Sequence, residues 1–496
     1  MDLKEIIKGL DYVEIIGDTG KDISDITFNS KTAVQDSLFI AVPGFKRDGK
    51  DYVSDAVENG AVAVISSSRT DKIPGITQII VEEPRPALAC VSNNFFNRPS
   101  GKLKITGITG TNGKTTTTFL VNSMLRSALS DTSFITTIMS GILNECAIFD
   151  RTTPESPELN RFFKNSVEKG VTHAIMEVSS HAVDLHRIDF IDFETFVFTN
   201  LTQDHLDYHK NMENYFNAKK KLFIKEYRDI FKCKNAVINI DDFYGRILCK
   251  ETDLETITYS AKTKEADLYA DDIICDTSGI KMNIIFRGKR LTDISSPLSG
   301  YFNVYNILAA AGAAISLGLD SINIKEGVQT DNAISGRFEK INGIDDFTVI
   351  VDYAHTPDGL ENVLLTAKSL LKDGSRLISV FGCGGDRDKG KRPKMGKIAG
   401  DISDYIFITS DNPRSEEPES IIKMIEEGVM ETGNRNYIKI PDRRKAILEA
   451  LETAQKDDIV IIAGKGHEDY QEFSGHRIHF SDQEVVREWN KKRGAE

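Results

Sequence analysis

A glycine-rich turn between an apolar run and a helical stretch constrains the fold of this chain most strongly. The run LKITGIT ends at Thr109, and the turn leads into the helix-like stretch TTTTFLVNSML. Glycines let the backbone turn tightly, so that successive N–H groups and a helix N-terminus face a phosphate chain. The stricter GxxxxGK[ST] spacing fails because Ile108 stands where its first glycine belongs. A chance glycine-rich turn is the alternative, but the strand–turn–helix context favours a nucleotide site.

In such a turn the lysine brings charge to the terminal phosphates, and the hydroxyl that follows it can hold Mg²⁺. These two residues are Lys114 and Thr115. The complete set predicted to surround the phosphates is Gly110, Thr111, Asn112, Gly113, Lys114, Thr115 and Thr116.

The rest of the chain repeats the pattern of a short apolar run followed by polar residues. The runs HAIMEVSS, TFVFTN and NAVINID follow the turn, and the pattern restarts at residue 336 with FTVIVDYAH, RLISVFGCGGDRD, YIFITSDNPR and DIVIIAGKGHE. Strands that alternate with helical stretches predict βαβ units and largely parallel sheets. Ligands bind at the carboxyl ends of such strands. We therefore predict an α/β protein in which a third domain faces the second.

The length of 496 residues requires more than one hydrophobic core, and changes of pattern suggest three domains. Residues 1–102 predict a small α/β domain, and residues 103–331 a central nucleotide-binding domain. The central domain includes an antiparallel extension between 257 and 298 and a long buried helix over YFNVYNILAAAGAAISLGL. Residues 332–496 predict a C-terminal domain.

Composition and charge exclude several classes of function. No apolar run approaches the roughly 20 residues that cross a bilayer, and the N-terminus lacks a signal peptide's apolar centre, so we expect a cytoplasmic protein without a membrane partner. Six cysteines without a CxxC pair argue against a disulfide framework or a thiolate zinc site. A net charge of −13 argues against nucleic-acid binding. A local cluster of lysines and arginines can still bind a small anion.

Many segments, in order and spacing, resemble the Mur ligases and folylpolyglutamate synthases, and most closely the Mur ligase type that adds the third residue of the peptidoglycan stem peptide (the MurE type). The segments are TGTNGKTT, DITFNSKTAVQDSLFIAVPG, RTTPES, MEVSSHAV, NLTQDHLDYH, NAKKKLF, SGRFE, DYAHTPDGL, FGCGGDRDKGKRP, SDNPRSEEP and AGKGHEDYQ. The resemblance implies the three-domain Mur ligase architecture, with a central P-loop ATPase-like parallel sheet and a Rossmann-like C-terminal domain. It also implies an ATP- and Mg²⁺-dependent ligase that activates a carboxylate as an acyl phosphate, which an amine then attacks.

The resemblance assigns the chemistry around the phosphates to four residues. Lys114 contacts the phosphates, Glu177 binds Mg²⁺, and His205 lies at a second metal. Lys219 in NAKKKLF matches the family lysine that reacts with CO₂ to form a carbamate, an oxygen donor for Mg²⁺. The alternative for Glu177, which follows an apolar run, is a capping or solvated acid. Without the resemblance, Lys219 would be part of a solvated helix face. His205 and His209 have a spacing that permits zinc, but the HExxH pattern is absent, and we expect a hydrogen-bonded structural role for His209.

The resemblance places further ligand contacts in all three domains. On the nucleotide side these are the adenine contacts Asn303 and Asn306, together with Arg337, Asp352 and His355 from the C-terminal domain. The UDP-sugar-peptide is expected to contact the loop 44–49 and Ser30, Thr152, Thr153, Ser179 and Arg187.

The segments GGDRD and SDNPRSEEP indicate which amino acid is added, because they match enzymes that add meso-diaminopimelate. Its distal carboxylate suits a bidentate guanidinium, whereas the ammonium that ends a lysine substrate would be repelled by Arg414. An isolated DNPR would instead predict an arginine paired with Glu416 or Glu417. The expected amino-acid contacts are Arg387, Asp411, Asn412, Pro413, Arg414, Gly464 and Glu468.

We therefore expect addition of meso-diaminopimelate to UDP-N-acetylmuramoyl-L-Ala-D-Glu, with release of ADP and phosphate. The nearest alternative is the same reaction with L-lysine, and a more distant one is a folate polyglutamylating ligase. An ATP-driven switch would turn over or bind nucleotide without any acceptor, and it would leave the DNPR and GKGHE clusters without a purpose. We expect small-molecule substrates only, and a monomer.

Overall fold

A computed structural model gives the structure of residues 1–44, 47–70, 75–149, 151–276, 279–330 and 334–493. Residues 45 and 46 of the predicted 44–49 loop lie outside the described residues, as does the predicted boundary between 331 and 332. The described strands form three α/β sheets and one hairpin. Within the described ranges, no helix is both long and apolar enough to cross a membrane.

The N-terminal sheet has five strands in the order β1-β5-β4-β3-β2, all parallel except β1. The strands are β1 Glu14–Ile16, β2 Asp25–Thr27, β3 Ser37–Ile40, β4 Ala61–Ser66 and β5 Thr77–Ile80. The helices are α1 Leu3–Ile6, α2 Val53–Glu58 and α3 Pro84–Phe95, with 3₁₀ turns at Ser30–Thr32, Gly49–Tyr52 and Pro99–Lys102. The apolar runs SLFI and AVAVIS form two of the three inner strands, β3 and β4, as their composition predicts.

The central sheet has eleven strands with the glycine-rich turn at its middle. The strands are β6 Lys104–Thr109, β7 Thr132–Ile135, β8 Ser140–Ile142, β9 Glu145–Ala147, β10 His173–Glu177, β11 Thr195–Phe198, β12 Asn235–Asn239, β13 Glu255–Ser260, β14 Leu268–Asp276, β15 Gly279–Phe286 and β16 Lys289–Ser296. Their order is β16-β15-β14-β13-β12-β11-β6-β10-β7-β8-β9. The strands from β14 to β7 run parallel, and antiparallel strands close both edges. The predicted antiparallel extension is present, but β13 and β14 still pair in parallel.

Helices cover both faces of the central sheet. They are α4 Lys114–Ser127, α5 Ser156–Glu168, α6 Ser180–Asp184, α7 Leu206–His209, α8 Met212–Lys220, α9 Phe243–Glu251, α10 Phe302–Ser316 and α11 Ser321–Gln329, with a 3₁₀ turn at Lys225–Tyr227. The helices α4, α10 and α11 share one hydrophobic core, and α5, α8 and α9 share the other. Gly312 of α10 packs directly on the sheet, since a Cβ there would lie 2.6 Å from Val237 Cγ1.

The C-terminal sheet has the strand order β17-β18-β22-β19-β20-β21, with only β17 antiparallel. The strands are β17 Glu339–Lys340, β18 Thr348–Asp352, β19 Leu377–Phe381, β20 Tyr405–Ile408, β21 Tyr437–Lys439 and β22 Ile459–Ala463, followed by the hairpin β23 Tyr470–Phe473 and β24 His476–His479. The helices are α12 Pro357–Ser369, α13 Lys391–Ile402, α14 Pro418–Glu431, α15 Arg443–Thr453 and α16 Asp482–Arg493. The four apolar runs predicted as strands are β18, β19, β20 and β22, so the prediction of a second parallel sheet is confirmed.

Candidate functional site

A cavity of about 720 Å³ lies between the central and C-terminal domains. The central domain lines it with the glycine-rich turn and with residues that follow β10 and β11. The C-terminal domain lines it with the end of β18 and the start of α12. The cavity therefore lies where the carboxyl ends of strands from two sheets meet, as expected for ligands of parallel sheets.

The glycine-rich turn is folded around its own lysine. Lys114 Nζ donates to the carbonyl oxygens of Gly110 and Thr111, at 3.0 and 2.8 Å. Burial lowers the pKa of Lys114. Gly113 has φ +85, and a Cβ there would lie 2.3 Å from Asn306 Oδ1, so both the backbone and the space require glycine. The turn thus presents a helix N-terminus and one cation to the cavity, which suits a phosphate chain.

Glu177 ends β10 with its carboxylate buried and surrounded by donors. The hydroxyl of Thr115 donates to Oε1 at 2.7 Å, and Thr137 donates its backbone N–H to Oε1 and its hydroxyl to Oε2, both at 3.0 Å. Arg337 Nη2, from the C-terminal domain, donates to Thr115 Oγ1 at 3.2 Å. The network therefore joins a carboxylate, a P-loop hydroxyl and a guanidinium from across the cavity.

These oxygens fit Mg²⁺, which is usually held by one or two carboxylates and by phosphate oxygens rather than by an all-protein cage. No cluster of three His, Cys, Asp or Glu side chains that could hold a metal occurs in the part of the chain that the structure describes. A metal at Thr115 and Glu177 would therefore need the nucleotide to complete its ligands.

Lys219 lies on α8 with its side chain buried beneath the glycine-rich turn. Its Nζ donates to Gly110 O at 3.0 Å and Thr109 Oγ1 at 3.3 Å, and it stands 4.9 Å from the centre of the Tyr215 ring. Burial, with Lys114 nearby, lowers the pKa of Lys219 well below its ordinary value. A neutral buried amine is the form that reacts with CO₂, so the environment fits a carbamate.

The three consecutive lysines of NAKKKLF have different environments. Lys220 forms an ion pair with Glu251, and Lys221 pairs with Asp184 at 3.7 Å. Only 1% of Lys219 is exposed. The alternative of a solvated helix face is therefore wrong for Lys219, although it describes its two neighbours better.

The two histidines of the DHLDYH segment have separate surroundings. His205 has φ +54, and its Nε2 lies 3.4 Å from Asp204 Oδ2. Burial lowers the pKa of His205, so the imidazole is neutral at pH 7, the form that binds metals. His209 is buried and shares a hydrogen bond of 2.8 Å with Ser180 Oγ. These contacts support the structural role expected for His209.

Some of the predicted nucleotide contacts line the cavity, and others support the residues that line it. Asn306 lines the cavity, and its Nδ2 donates to Oδ1 of Asn303, which is buried. The Asp352 carboxylate accepts from the backbone N–H groups of Phe338 and Ala354, at 2.6 and 2.7 Å. Asp352 therefore fixes the backbone that carries Arg337, in addition to lining the cavity.

His355 also lines the cavity, and burial lowers its pKa. Next to it, Asp358 at the start of α12 accepts from Asn112 Nδ2 at 2.7 Å and from Thr202 Oγ1 at 3.0 Å. Asp358 thus ties the C-terminal domain to the glycine-rich turn. The sequence placed it in the DYAHTPDGL segment but gave no reason to single it out.

Four of the predicted sugar-peptide contacts lie beside Glu177. Thr152 and Ser179 line the cavity. The hydroxyl of Thr153 donates to Glu177 O at 2.9 Å, and Arg187 Nη1 donates to Thr153 O at 3.1 Å. Four of the five predicted residues therefore form one continuous group. Ser30, the fifth, is buried in the N-terminal domain and is not among the residues that line the cavity.

Three arginines converge on one buried glutamate beside this group. Glu155 lies 3.0 Å from Arg187, 3.5 Å from Arg151 and 3.6 Å from Arg85. Three positive charges on one carboxylate leave an excess of positive charge where the N-terminal and central domains meet, which suits an anionic substrate. Analysis of the sequence missed Arg85 and Glu155, although Glu155 lies within the RTTPES segment.

The predicted amino-acid contacts form a second cluster at the ends of β20 and β22. Arg414 Nη1 donates to Gly385 O at 2.7 Å, and its Nε lies 3.3 Å from Glu472 Oε2. The ion pair expected for an isolated DNPR is not with Glu416, because buried Arg392 binds that carboxylate at 2.8 and 2.9 Å. Arg414 is therefore held by the loop and by the hairpin rather than by its neighbour in sequence.

The other members of this cluster lie in the loops after β19, β20 and β22, with Arg387 in the first of these. Asn412 Nδ2 donates to Glu468 Oε2 at 2.9 Å, which joins the loops after β20 and β22. Arg387 and Arg414 both lie within 4 Å of a Cβ placed at Gly384. The remaining predicted residues, in the same two loops, are Asp411, Pro413 and Gly464. The structure thus brings all seven predicted residues to one edge of the C-terminal sheet.

Three family models match the chain. They are described as the Mur ligase family catalytic domain over residues 22–96, the Mur ligase middle domain over 108–314, and the Mur ligase glutamate ligase domain over 336–466. Two relatives are named UDP-N-acetylmuramoyl-L-alanyl-D-glutamate--2,6-diaminopimelate ligase. The one from Caldanaerobacter subterraneus is 43% identical and covers 98% of both chains. The one from Clostridioides difficile is 44% identical and covers 98% of this chain and 99% of its own. A solved structure of a ligase of that name has a TM-score of 0.70 at 33% identity, covering 100% of this chain and 99% of its own.

Proposed function

Because the chain belongs to the Mur ligase family of ATP-dependent ligases, we propose that it adds meso-diaminopimelate to UDP-N-acetylmuramoyl-L-Ala-D-Glu in peptidoglycan precursor synthesis. Full-length relatives more than 40% identical carry that name, and this similarity is the observation on which the proposal chiefly depends. The expected fold, with its parallel central sheet and second parallel sheet, agrees with the family. The arginine of the DNPR segment agrees with an amino acid that has a distal carboxylate.

ATP binds in the cavity between the domains in this proposal. Lys114 and the N-terminus of α4 hold its phosphates, Arg337 approaches them from the C-terminal domain, and Asn306 lies at the adenine end. Thr115 and Glu177 would hold Mg²⁺ together with the nucleotide, and His205 and a carbamylated Lys219 would hold a second ion. When bound, Mg²⁺ supplies charge neutralisation that lets a carboxylate approach a triphosphate.

The reaction joins a carboxylate bound near Glu155 to an amine bound by the loops after β20 and β22. The carboxylate of the D-Glu residue attacks the γ-phosphorus of ATP, which releases ADP and leaves an acyl phosphate. The amine of diaminopimelate, once it has lost a proton, attacks the acyl carbon and expels phosphate. The arginines around Glu155 orient the acceptor carboxylate, and the loops after β20 and β22 orient the amine.

The alternative substrate L-lysine is not favoured, because the relatives are named for diaminopimelate and Arg414 would lie at an ammonium. The proposal further includes the domain boundaries at residues 102 and 331, a monomer, and a cytoplasmic location. These three features stay predictions from the sequence.

The proposal is tested by ADP release from purified protein and UDP-N-acetylmuramoyl-L-Ala-D-Glu, with meso-diaminopimelate or L-lysine supplied in parallel. We expect turnover with diaminopimelate and little with lysine. A preference for lysine would retain the ligase but refute the role of Arg414. ADP release independent of any amino acid would favour an ATP-driven switch.

A further inference from the structure

Lys465 is a buried cation within the amino-acid cluster, and it is not one of the seven predicted amino-acid contacts. It follows β22, and none of its side chain is exposed. Its Nζ donates to Glu468 Oε2 at 2.9 Å and to Asn412 Oδ1 at 3.2 Å. The same nitrogen lies 3.6 Å from Asp411 Oδ1. One ammonium group therefore contacts three of the residues expected to bind the incoming amino acid.

Arg443 is a second buried cation near the cluster, and the carboxylate of Asp482 balances its charge. Arg443 binds both oxygens of Asp482, at 2.8 and 2.7 Å, and neither side chain is exposed. Arg443 also donates to the carbonyl oxygens of Ser410 and Ala463, the residues before the two binding loops. Arg443 thus supports the loops, whereas Lys465 is the buried cation that faces the carboxylates of the cluster.

The local charge around Asp411 and Glu468 follows from these contacts. Asp411 and Glu468 contribute two negative charges, and Lys465 cancels one of them. Asp411 Oδ1 is buried and accepts no hydrogen bond from the described residues, and the Lys465 ammonium lies 3.6 Å from it. Asp411, Glu468 and Lys465 together carry a net charge of −1. Without the lysine charge, the two carboxylates carry −2. Pockets with more negative charge favour ligands with more positive charge.

Resting on the function proposed above, we propose that Lys465 is a positioning residue that sets the choice of amino acid. It holds Asn412 and Glu468 together, and its charge tunes the pocket for a ligand end that carries both an ammonium and a carboxylate. The distal end of L-lysine carries an ammonium and no carboxylate. Its net positive charge suits a more negative pocket. Arg414 selects the distal carboxylate directly, and Lys465 acts through the two carboxylates beside it.

The test compares Lys465→Gln, which keeps a hydrogen-bond donor but removes the charge, with Lys465→Arg, which keeps the charge. Acceptor-dependent ADP release gives kcat and KM for meso-diaminopimelate and for L-lysine separately. We expect Lys465→Gln to lower the ratio of kcat/KM for diaminopimelate over lysine by about tenfold, mainly through KM for diaminopimelate. KM for ATP should change much less than KM for diaminopimelate, and Lys465→Arg should keep the preference.

An unchanged ratio in Lys465→Gln, or equal losses with both amino acids in Lys465→Gln and Lys465→Arg, would overturn the proposal and leave a purely structural lysine. Glu468→Gln supplies an opposite test that holds even if Lys465→Gln does not fold. It removes one negative charge, so the ratio for diaminopimelate over lysine should rise, and a fall would refute the charge argument. The proposed function fails separately, in the unmodified protein, if neither amino acid supports turnover; Lys465 then has no selective role.

Discussion

Replacement of Arg414 tests the link between the second cluster and the incoming amino acid. In the free protein its guanidinium donates to Gly385 O and pairs with Glu472, while its side chain remains one-fifth exposed. A guanidinium so held is oriented by the protein before the ligand arrives, so little side-chain entropy is lost on binding. A distal carboxylate should therefore gain charge-assisted hydrogen bonds from Arg414 at a small entropic cost.

The expected magnitude follows from the two bonds that a fork makes to a carboxylate. Hydrogen bonds to charged groups contribute about 1.5–3 kcal/mol each, and partial exposure argues for the lower end. Arg414→Ala should thus cost about 3 kcal/mol of binding, or roughly a 100-fold rise in KM for meso-diaminopimelate. Arg414→Lys keeps the charge but loses the two-pronged geometry of the guanidinium. Its KM for meso-diaminopimelate should lie between the values of the unmodified protein and of Arg414→Ala.

The assay is acceptor-dependent ADP release at saturating ATP and UDP-sugar-peptide, with the diaminopimelate concentration varied. Arg435→Ala is the matched control, since Arg435 is an exposed arginine of the same domain outside the cluster. The control should keep the KM of the unmodified protein. An unchanged KM for diaminopimelate in Arg414→Ala would refute the assignment of Arg414, whatever happened to kcat.

Three further outcomes are expected. Lys114→Ala should abolish turnover, by at least about 10³-fold in ADP release, because the phosphates lose their fixed cation; near-normal turnover would contradict the proposed phosphate site. Arg443→Met leaves Asp482 buried and unpaired and should cost about 3–5 kcal/mol in thermal or urea unfolding, whereas the double replacement Arg443→Met/Asp482→Leu should cost less. Burial lowers the pKa of His467 from 6.5 to about 4. The unfolded chain therefore takes up a proton that the folded protein resists, so stability falls as the pH drops from 6.5 to 4, and His467→Gln should weaken that dependence in unfolding measured at several pH values.

The strands and the positions of the polar clusters could be predicted because local patterns determine them. Each of the four apolar runs of the C-terminal domain forms a strand, and its polar residues follow at the ligand edge. The helix after the glycine-rich turn begins at Lys114, as the turn predicts. Such features depend on residues close in sequence, which is why periodicity is enough.

Partners that are far apart in the chain could not be predicted in the same way. Asn112 and Asp358 are 246 residues apart and bind across two domains. Thr137 donates twice to Glu177, yet no motif distinguishes it from other threonines. Lys465 is another example, because it stands within the quoted AGKGHE segment but its burial depends on the packing of two loops. Charge pairing and burial of this kind arise from the tertiary fold.

The strand order of the C-terminal sheet places the amino-acid cluster beside the segment that lines the nucleotide cavity. The strand β22 lies next to β18, so the loop after β22, which carries Glu468, runs beside the segment that lines the nucleotide cavity. Gly464 N–H donates to Asp352 O at 3.0 Å, and a Cβ at Gly336 would lie 2.1 Å from the backbone nitrogen of His467. The turn that carries Arg337 toward the phosphates therefore packs directly on the loop that binds the amino acid. This direct backbone contact gives the ATP and amino-acid sites a physical means of coupling.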